Sequence, residues 1–314
     1  MKAARIHKYG SSLETLVVEE TPDPTPGPGQ VLIENHASSV NPIDWKLAGG
    51  GLRIMYPLKF PAVLGFDLAG RVAALGEGVT KFKVGDEVYA RTNTMPGGAC
   101  AEFSAVDADV VSLKPAGMSF GEAAAVPLAG LTAFQALSNK AGLQSGQKVL
   151  INGASGGVGV YAVQIAKALG ARVTAVCSSA NAELVTSLGA DEVIDYKTTD
   201  PLAGTEPYHA IFDCVASIGY SKAKRRLIRG GTYISTLPDA ALMLSGVFGF
   251  LSATKAVLIV VESSGPDLDR LRAWADAGQL RSIIDSEFTL DEIVKAHERS
   301  QGGRARGKIV VKIR

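Results

Sequence analysis

The chain contains few cysteines, and they are scattered. Its 314 residues include three, Cys100, Cys177 and Cys214. This spacing suits neither a disulfide framework nor a cysteine-rich zinc lobe. We interpret the cysteines as reduced thiols in a reducing compartment. Because Met1–His7 already has the pattern of a strand rather than of a targeting segment, we expect a cytoplasmic protein, and association with an organelle stays open.

An excess of charge is also missing. The chain has 32 Lys and Arg against 31 Asp and Glu residues, which gives no reason to expect nucleic acid or an anionic membrane as a partner. The longest apolar stretch, 240–261, is interrupted by two glycines and Lys255, so an integral membrane span is disfavoured. A buried helix followed by a strand at Val257–Val261 is a better interpretation of this apolar stretch. Within it, Met243–Leu251 either extends a pocket for lipophilic substrates or packs in the core.

Glycine, in contrast, is abundant, and four glycines follow a short apolar run at Val149–Ile151, which suits a buried parallel strand. Apolar residues then recur at helical spacing from Val158 to Leu169. Strand, glycine turn and helix in this order form a binding site for the pyrophosphate of a dinucleotide. The spacing Gly153-x-x-Gly156-x-x-Gly159 differs from the usual G-x-G-x-x-G, and a tight turn without a ligand is the alternative.

The order of the elements predicts the fold class. Short strands between Gly/Pro turns fill the first 118 residues and indicate a β-rich domain that is partly a barrel. After it, six strands alternate with helices, which predicts a doubly wound parallel sheet of the Rossmann type. These strands are predicted at Val149–Asn152, Arg172–Ser178, Glu192–Tyr196, Ala210–Val215, Thr232–Leu237 and Val257–Val261. Other predicted elements are a strand at Ala99–Ala105, a capping box formed by Ser119 and Glu122, and a helix at Tyr220–Ile228. We therefore expect an α/β protein with domains at 1–123 and 124–264, and a return to the first domain at 265–314.

The turn after the second strand of this sheet contains no acidic residue. NAD-binding sites place there the acid that holds the ribose hydroxyls, but this chain has Cys177-Ser178-Ser179-Ala180-Asn181. Hydroxyl and amide donors suit a 2′-phosphate, which a carboxylate would repel, so the sequence favours NADPH. Lys197 could add positive charge from the neighbouring strand. A plain polar loop end is the alternative.

Several motifs resemble the zinc-free quinone oxidoreductase branch of the medium-chain dehydrogenase/reductase superfamily, over nearly the whole chain. They are Ser39-Val40-Asn41-Pro42-Ile43-Asp44-Trp45-Lys46, Gly65-Phe66-Asp67-Leu68-Ala69-Gly70, Ala129-Gly130-Leu131-Thr132-Ala133, Ala154-Ser155-Gly156-Gly157-Val158-Gly159 and Leu188-Gly189-Ala190-Asp191. The chain is most similar to the chloroplast-envelope members and to the alkenal and enone reductases. The resemblance implies a GroES-like catalytic domain beside the Rossmann domain, with the cofactor in the cleft between them. It also implies an NADPH-dependent reductase of α,β-unsaturated carbonyls or quinones.

The resemblance also implies which residues form the site. For the cofactor they are Asn41, Thr132, Gly156, Gly157, Val158, Ser178 and Tyr196. The glycine and serine turns add Ser155, Ser179 and Asn181 as cofactor-binding candidates. For catalysis the candidates are Asn41 beside the nicotinamide, Trp45 against the substrate, and Lys46. The expected donors to the carbonyl oxygen are the Asn41 amide, a nicotinamide ribose hydroxyl, and the Lys46 ammonium if it turns inward. Alternatively, Asn41 is only a turn residue and Trp45 is a residue of the core. Two family features are missing, since a Lys near position 181 is Asn181 here and a substrate-cleft tyrosine is Lys46. Water is then the expected proton source.

The family's zinc-dependent members need cysteine and histidine ligands that converge on one metal. By resemblance, the first cysteine position is Asn41 here and the histidine position is Phe66. No Cys or His occurs between 101 and 135. We therefore expect no bound metal.

Alternative functions remain open from the sequence. An enoyl-thioester reductase uses the same hydride chemistry, and a non-catalytic NADPH-binding protein would keep the same fold. We also expect a homodimer joined at the last strand of the parallel sheet, Val257–Val261, because an apolar edge strand tends to pair. An edge strand covered within one chain is the alternative.

Overall fold

The computed structural model describes residues 1–243 and 253–314. Contacts divide the chain into two compact units, Met1–Leu131 with Glu262–Arg314, here named the β-rich unit, and Thr132–Val261, the Rossmann unit. The boundaries predicted from the sequence, after residues 123 and 264, differ from this division, in which the helix Pro127–Phe134 crosses the first junction. Of the apolar stretch Met243–Leu251, all but Met243 lies outside the described residues.

Sixteen strands are bounded within the part of the chain that the structure describes. They are β1 (Lys2–Ile6), β2 (Leu16–Glu20), β3 (Gln30–Val40), β4 (Ala62–Val63), β5 (Asp67–Leu75), β6 (Glu87–Arg91), β7 (Phe103–Asp107), β8 (Val111–Leu113), β9 (Lys148–Asn152), β10 (Arg172–Cys177), β11 (Glu192–Asp195), β12 (Tyr208–Asp213), β13 (Leu227–Ser235), β14 (Lys255–Leu258), β15 (Ile284–Thr289) and β16 (Lys308–Lys312).

The α-helices that lie wholly within the described residues are short. They are α1 (Ser12–Thr15), α2 (Pro42–Ala48), α3 (Phe120–Ala124), α4 (Pro127–Phe134), α5 (Gly159–Ala168), α6 (Ala182–Ser187), α7 (Tyr220–Ala223), α8 (Gly265–Asp276) and α9 (Ile293–Gln301). Helix α4 continues as a π-helical segment, Gln135–Lys140. No helix in the described ranges is both long and apolar enough to cross a bilayer.

In the β-rich unit, a seven-stranded sheet has the order β15-β16-β3-β5-β6-β8, with β7 paired to β3, and a second sheet has the order β2-β1-β4. Strand β3 alternates buried and half-buried residues and then becomes fully buried at its carboxyl end. This change occurs where β3 is covered on both faces, so a polar side chain at that end must find its partners inside the protein.

The register of β3 with its neighbours brings three chain segments to one place. Ser39 of β3 stands opposite Asp67, the first residue of β5. On the other side, Val40 stands opposite Ile309, next to the first residue of β16. Asn41, Asp67 and Lys308 therefore meet at the same end of the sheet.

The Rossmann unit confirms the predicted doubly wound sheet. Six parallel strands have the order β11-β10-β9-β12-β13-β14. Because β10 lies on one side of β9 and β12 on the other, the strand order reverses at the carboxyl ends of β9 and β12, where such sheets bind their ligands.

Some predicted boundaries are wrong. The helix predicted at Tyr220–Ile228 is only α7 with a 3₁₀ turn, because β13 begins at Leu227, which pairs with Tyr208. A strand predicted at Ala99–Ala105 lies later, at Phe103–Asp107, after two glycines with positive φ at 97 and 98.

Candidate functional site

The glycine turn connects β9 to α5 and contains the predicted residues Ser155, Gly156, Gly157 and Val158. Gly153 has φ +76°, a conformation that favours glycine. At Gly159 a Cβ atom would come within 2.1 Å of the Gly153 carbonyl oxygen, so only glycine lets the helix pack this closely. At Gly156 a Cβ would meet the same oxygen at 3.4 Å, an ordinary contact. The turn and the first peptides of a helix thus form a surface suited to an anion.

The serine turn after β10 lies against the glycine turn. The Asn181 amide donates to Ser155 Oγ at 3.0 Å and, more weakly, to Ser178 Oγ at 3.5 Å. Three of the predicted cofactor residues are therefore connected by hydrogen bonds. Ser178, Ser179 and Asn181 are half-buried or exposed, which leaves hydroxyl groups accessible to a ligand.

A carboxylate that sequence reasoning missed lies beside this turn. Asp195, the last residue of β11, stands opposite Cys177. Its pKa is lowered, most strongly by a hydrogen bond from the Lys197 N–H, and further by hydrogen bonds from the hydroxyl and backbone N–H of Ser179. The next residue, Tyr196, is 57 % exposed. The turn itself is free of acids, but the neighbouring strand supplies one, and only the register of parallel strands would have revealed it.

A buried polar network stands at the carboxyl ends of β9 and β12. Asp213 is fully buried and accepts hydrogen bonds from the Asn152 amide at 2.8 Å, the Ile218 N–H at 2.8 Å and the Tyr233 hydroxyl at 3.1 Å. These bonds fix the loop after β12. Val215 of that loop lies so close to Gly153 that a Cβ there would be 2.7 Å from its Cγ1. Thr132, predicted to line the nicotinamide, is buried in α4.

The Asn-Pro-Ile-Asp motif begins helix α2. Asn41 is the N-cap, Pro42 is the first helical residue, and Asp44 Oδ2 accepts the Asn41 N–H at 2.7 Å. Proline at this position costs no hydrogen bond, and the carboxylate satisfies a helix N–H. The motif therefore has a structural role, and the side chain of Asn41 remains available for other contacts.

The Asn41 amide lies between a buried cation and a buried anion. Lys308 Nζ donates to Asn41 Oδ1 at 2.5 Å, and Asn41 Nδ2 donates to Asp67 Oδ2 at 2.8 Å. Lys308 and Asp67 are also 3.4 Å apart. All three residues are at most 3 % exposed. The second amide proton has a long contact, 3.4 Å, to the Ser39 carbonyl oxygen.

More charged groups surround this triad. Asp44 is buried, its Oδ1 has no hydrogen-bond partner among the described residues, and burial raises its pKa to about 7. Burial lowers the pKa of Lys308, whereas Asp67 and Asp44 act in the opposite direction. The Arg91 guanidinium lies 5.1 Å above the ring of Phe66 and donates to Ser263 Oγ. This end of the sheet is strongly polar, although almost no water reaches it.

Trp45 and Lys46 follow Asn41 on α2. Trp45 Nε1 donates to Ser300 Oγ at 3.2 Å, so the indole N–H already has a partner. Lys46 Nζ lies 5.5 Å from the centre of the Trp45 ring, and burial lowers its pKa. The three residues predicted for catalysis therefore share one short helix, and Lys46 carries the ammonium group that is not hydrogen-bonded within the described residues.

Comparison with known proteins agrees with this architecture. Residues 27–137 match the alcohol dehydrogenase GroES-like domain, and residues 188–311 match the zinc-binding dehydrogenase domain. The chain is 40 % identical to the chloroplastic quinone-oxidoreductase QR1 of Triphysaria versicolor, with 99 % of this chain and 98 % of the relative covered. It belongs to the quinone oxidoreductase branch of the medium-chain dehydrogenase/reductase superfamily.

Two other relatives extend the comparison. The human mitochondrial NAD(P)H oxidoreductase RTN4IP1 is 35 % identical, with 91 % of this chain and 82 % of the relative covered. The tomato (Solanum lycopersicum) 2-methylene-furan-3-one reductase is 34 % identical, with coverages of 99 % and 79 %. Membership in the family confirms the resemblance seen in the motifs and the GroES-like and Rossmann fold class.

Sequence reasoning missed the partners of Asn41. Asp67 and Lys308 are 26 and 267 residues away from it, and no local pattern connects them. One signal was present: Lys308 begins a strand whose next three residues are Ile309, Val310 and Val311, all buried. A lysine there needs a buried anion.

Proposed function

We propose that this member of the family is a zinc-independent, NADPH-dependent reductase of α,β-unsaturated carbonyls or quinones, with hydride delivered to the β-carbon. The observation that carries the proposal is the glycine turn Gly153–Gly159 joined to the serine turn by Asn181, at the carboxyl end of a parallel sheet. It is supported by full-length similarity to proteins named as a quinone oxidoreductase and an enone reductase.

The cofactor is proposed to bind along these two turns. When bound, it supplies the hydride. The open face at Gly156 lets the backbone approach the pyrophosphate, and the helix N-terminus of α5 favours its charge. Ser178 and Asn181 offer hydroxyl and amide donors to a 2′-phosphate, and they support the proposed preference for NADPH. The negative charge of Asp195, which hydrogen bonds from Ser179 and the Lys197 N–H stabilise, opposes that phosphate.

The donor atoms of this chain do not fit a zinc ion. The first ligand position is the amide of Asn41, whose oxygen accepts from an ammonium, and the second is the phenyl ring of Phe66. Burial raises the pKa of Cys100 to about 12, so this thiol is not a ready thiolate ligand. Within the described residues, no group of three or more His, Cys, Asp and Glu side chains could hold a metal. The proposed reaction therefore has no zinc-dependent step.

Charge develops on the carbonyl oxygen as the β-carbon receives hydride, and preorganised donors stabilise it. The Asn41 amide is held by Asp67, Lys308 and Ser39, so we assign it to positioning beside the nicotinamide rather than to this oxygen. Lys46 and a ribose hydroxyl of the cofactor are the proposed donors. Trp45, whose N–H bonds Ser300, presents its ring to the substrate, and water delivers the proton to the α-carbon.

Isotope transfer tests the reaction. With NADPH deuterated at the transferred position and a small enone, we expect deuterium on the β-carbon of the saturated ketone. Deuterium on the carbonyl carbon, giving an allylic alcohol, would show a different reaction. A quinone and an enoyl thioester run beside the enone identify the substrate class, and binding of NADPH without turnover of any of them would indicate a non-catalytic protein.

A further inference from the structure

The buried ammonium of Lys308 has an unusual hydrogen-bond partner. Its side chain is 3 % exposed, and taking an ammonium out of water costs several kcal/mol unless a close anion compensates. Asp67 is available, yet the carboxylate is 3.4 Å away, whereas the amide oxygen of Asn41 is at 2.5 Å. The shorter contact of this cation is therefore to a neutral amide.

The ion pair determines how that amide is oriented. An asparagine amide can be flipped without changing its shape, since its oxygen and nitrogen ends are nearly equal in size. Here the oxygen faces the ammonium and the nitrogen faces the Asp67 carboxylate. The flipped amide would direct its N–H groups at a cation and its oxygen at an anion, both unfavourable in a buried site.

Asp67 has other partners that hold it in place. Ser39 Oγ donates to Oδ2 at 2.7 Å, and the Leu128 N–H donates to Oδ1 at 2.7 Å. The carboxylate is thus fixed to β3 and to the start of α4 without Lys308. What Lys308 adds is a cation beside the amide oxygen of Asn41.

We propose that Lys308 is a positioning residue for reduction, the buried cation that fixes the Asn41 amide in one orientation. The inference rests on the proposed function. The other charged groups at this site are Asp67, Asp44 and Arg91, and a substitution of Lys308 alone leaves these three residues unaltered.

A double-mutant cycle tests whether Lys308 acts through Asn41. The variants are Asn41→Ala, Lys308→Met and the two combined, measured by kcat and KM for an enone and by the Kd for NADPH. We expect Lys308→Met to lower kcat by about 10- to 100-fold, as for a misplaced catalytic group. The combined variant should lose no more than Asn41→Ala alone. Losses that multiply, or an unchanged kcat in Lys308→Met, would overturn the proposal.

A double variant that removes both charges separates a loss of folding from a loss of positioning. Lys308→Met leaves Asp67 buried and unpaired, so its Tm should fall. Lys308→Met combined with Asp67→Asn removes both charges and should restore Tm but not kcat. If kcat returned together with Tm, Lys308 would be only half of a structural ion pair, and the proposal would be wrong.

The control lies on the same strand. Lys312 is exposed and pairs with Glu287, so Lys312→Met should leave kcat, KM and Tm unchanged. If the unmodified protein reduces neither enones nor quinones, the proposed function fails. The same double-mutant cycle, measured by the Kd for NADPH, then still tests whether Lys308 acts through Asn41. Coupling of the two substitutions supports this role of Lys308, and additive effects refute it.

Discussion

At the scale of single residues, the buried imidazole of His297 in α9 makes the stability of the fold depend on pH. It is 0 % exposed, and neither ring nitrogen has a hydrogen-bond partner among the described residues. Burial lowers its pKa to about 4. The unfolded chain therefore takes up a proton near pH 6.5, whereas the folded chain does so only near pH 4. The stabilisation is complete above pH 6.5 and is lost as the pH falls toward 4.

We expect His297→Leu to remove this part of the acid sensitivity. Between pH 7.5 and 4.5, the free energy of unfolding of the unmodified protein should fall by about 2–3 kcal/mol more than that of the variant. Denaturant titration at both pH values measures the difference. At pH 7.5, where the ring is neutral in both states, the variant should be at least as stable. Equal pH dependence of the two proteins would contradict the assignment.

Cofactor choice is also decided by single residues. Ser178→Asp places a carboxylate where we propose the 2′-phosphate, so kcat/KM for NADPH should fall by about 10-fold or more while that for NADH changes little. Asp195→Asn removes the existing carboxylate and should raise kcat/KM for NADPH severalfold. Steady-state kinetics with both cofactors measure each effect. Equal kcat/KM for NADH and NADPH in the unmodified protein would refute the preference.

At the scale of elements, two glycines of the β9–α5 connection, Gly156 and Gly159, have different roles. Gly159 is required because the backbone of the turn touches it, since a Cβ would lie 2.1 Å from the Gly153 oxygen. Gly156 has room within the protein, since its Cβ would be at 3.4 Å. Its lack of a side chain therefore matters only to something outside the protein.

Two alanine variants follow from this difference. Gly159→Ala should lower the free energy of unfolding by about 1–3 kcal/mol or more, because helix and turn must separate. Gly156→Ala should leave stability nearly unchanged but weaken NADPH binding, because the methyl group stands where the pyrophosphate approaches. Thermal unfolding without cofactor and fluorescence titration with NADPH measure the two effects. Normal NADPH affinity in Gly156→Ala would place the pyrophosphate elsewhere.

At the scale of the whole molecule, β14 is an edge strand of the Rossmann sheet. In the described part of the chain it pairs with β13 alone. The Ile259 N–H donates inward to the Ser235 oxygen, whereas Val260, just after the strand, is 61 % exposed. An apolar edge of this kind is a site for pairing with a second copy.

The last strand of the sheet, predicted at Val257–Val261, is β14 at Lys255–Leu258. We expect a homodimer joined at this strand. Sedimentation or light scattering at micromolar concentration should give twice the mass of one chain, 32.7 kDa. Val260→Lys changes an exposed residue, so it should shift the protein toward the monomer without lowering the stability of the fold. A monomeric unmodified protein would refute the dimer and leave the fold untouched.

The sequence by itself determined the features that arise from local patterns. The alternation of strands and helices predicted the six-stranded parallel sheet, with β9, β10 and β11 placed within about two residues. The glycine spacing predicted the turn before α5, and Ser119 with Glu122 predicted the capping box of α3. Each of these depends on residues a few positions apart, whose geometry the backbone fixes directly.

Only the tertiary structure decided which groups surround Asn41. The sequence identified Asn41 and its motif, but Asp67 and Lys308 reach it through the registers of β5 and β16 with β3. In the same way, the register of β10 with β11 placed Asp195 beside the serine turn. A shift of one residue in any of these strands would turn the side chain to the other face of the sheet. Registers are set by packing across the whole unit, so no local pattern of residues could have predicted them.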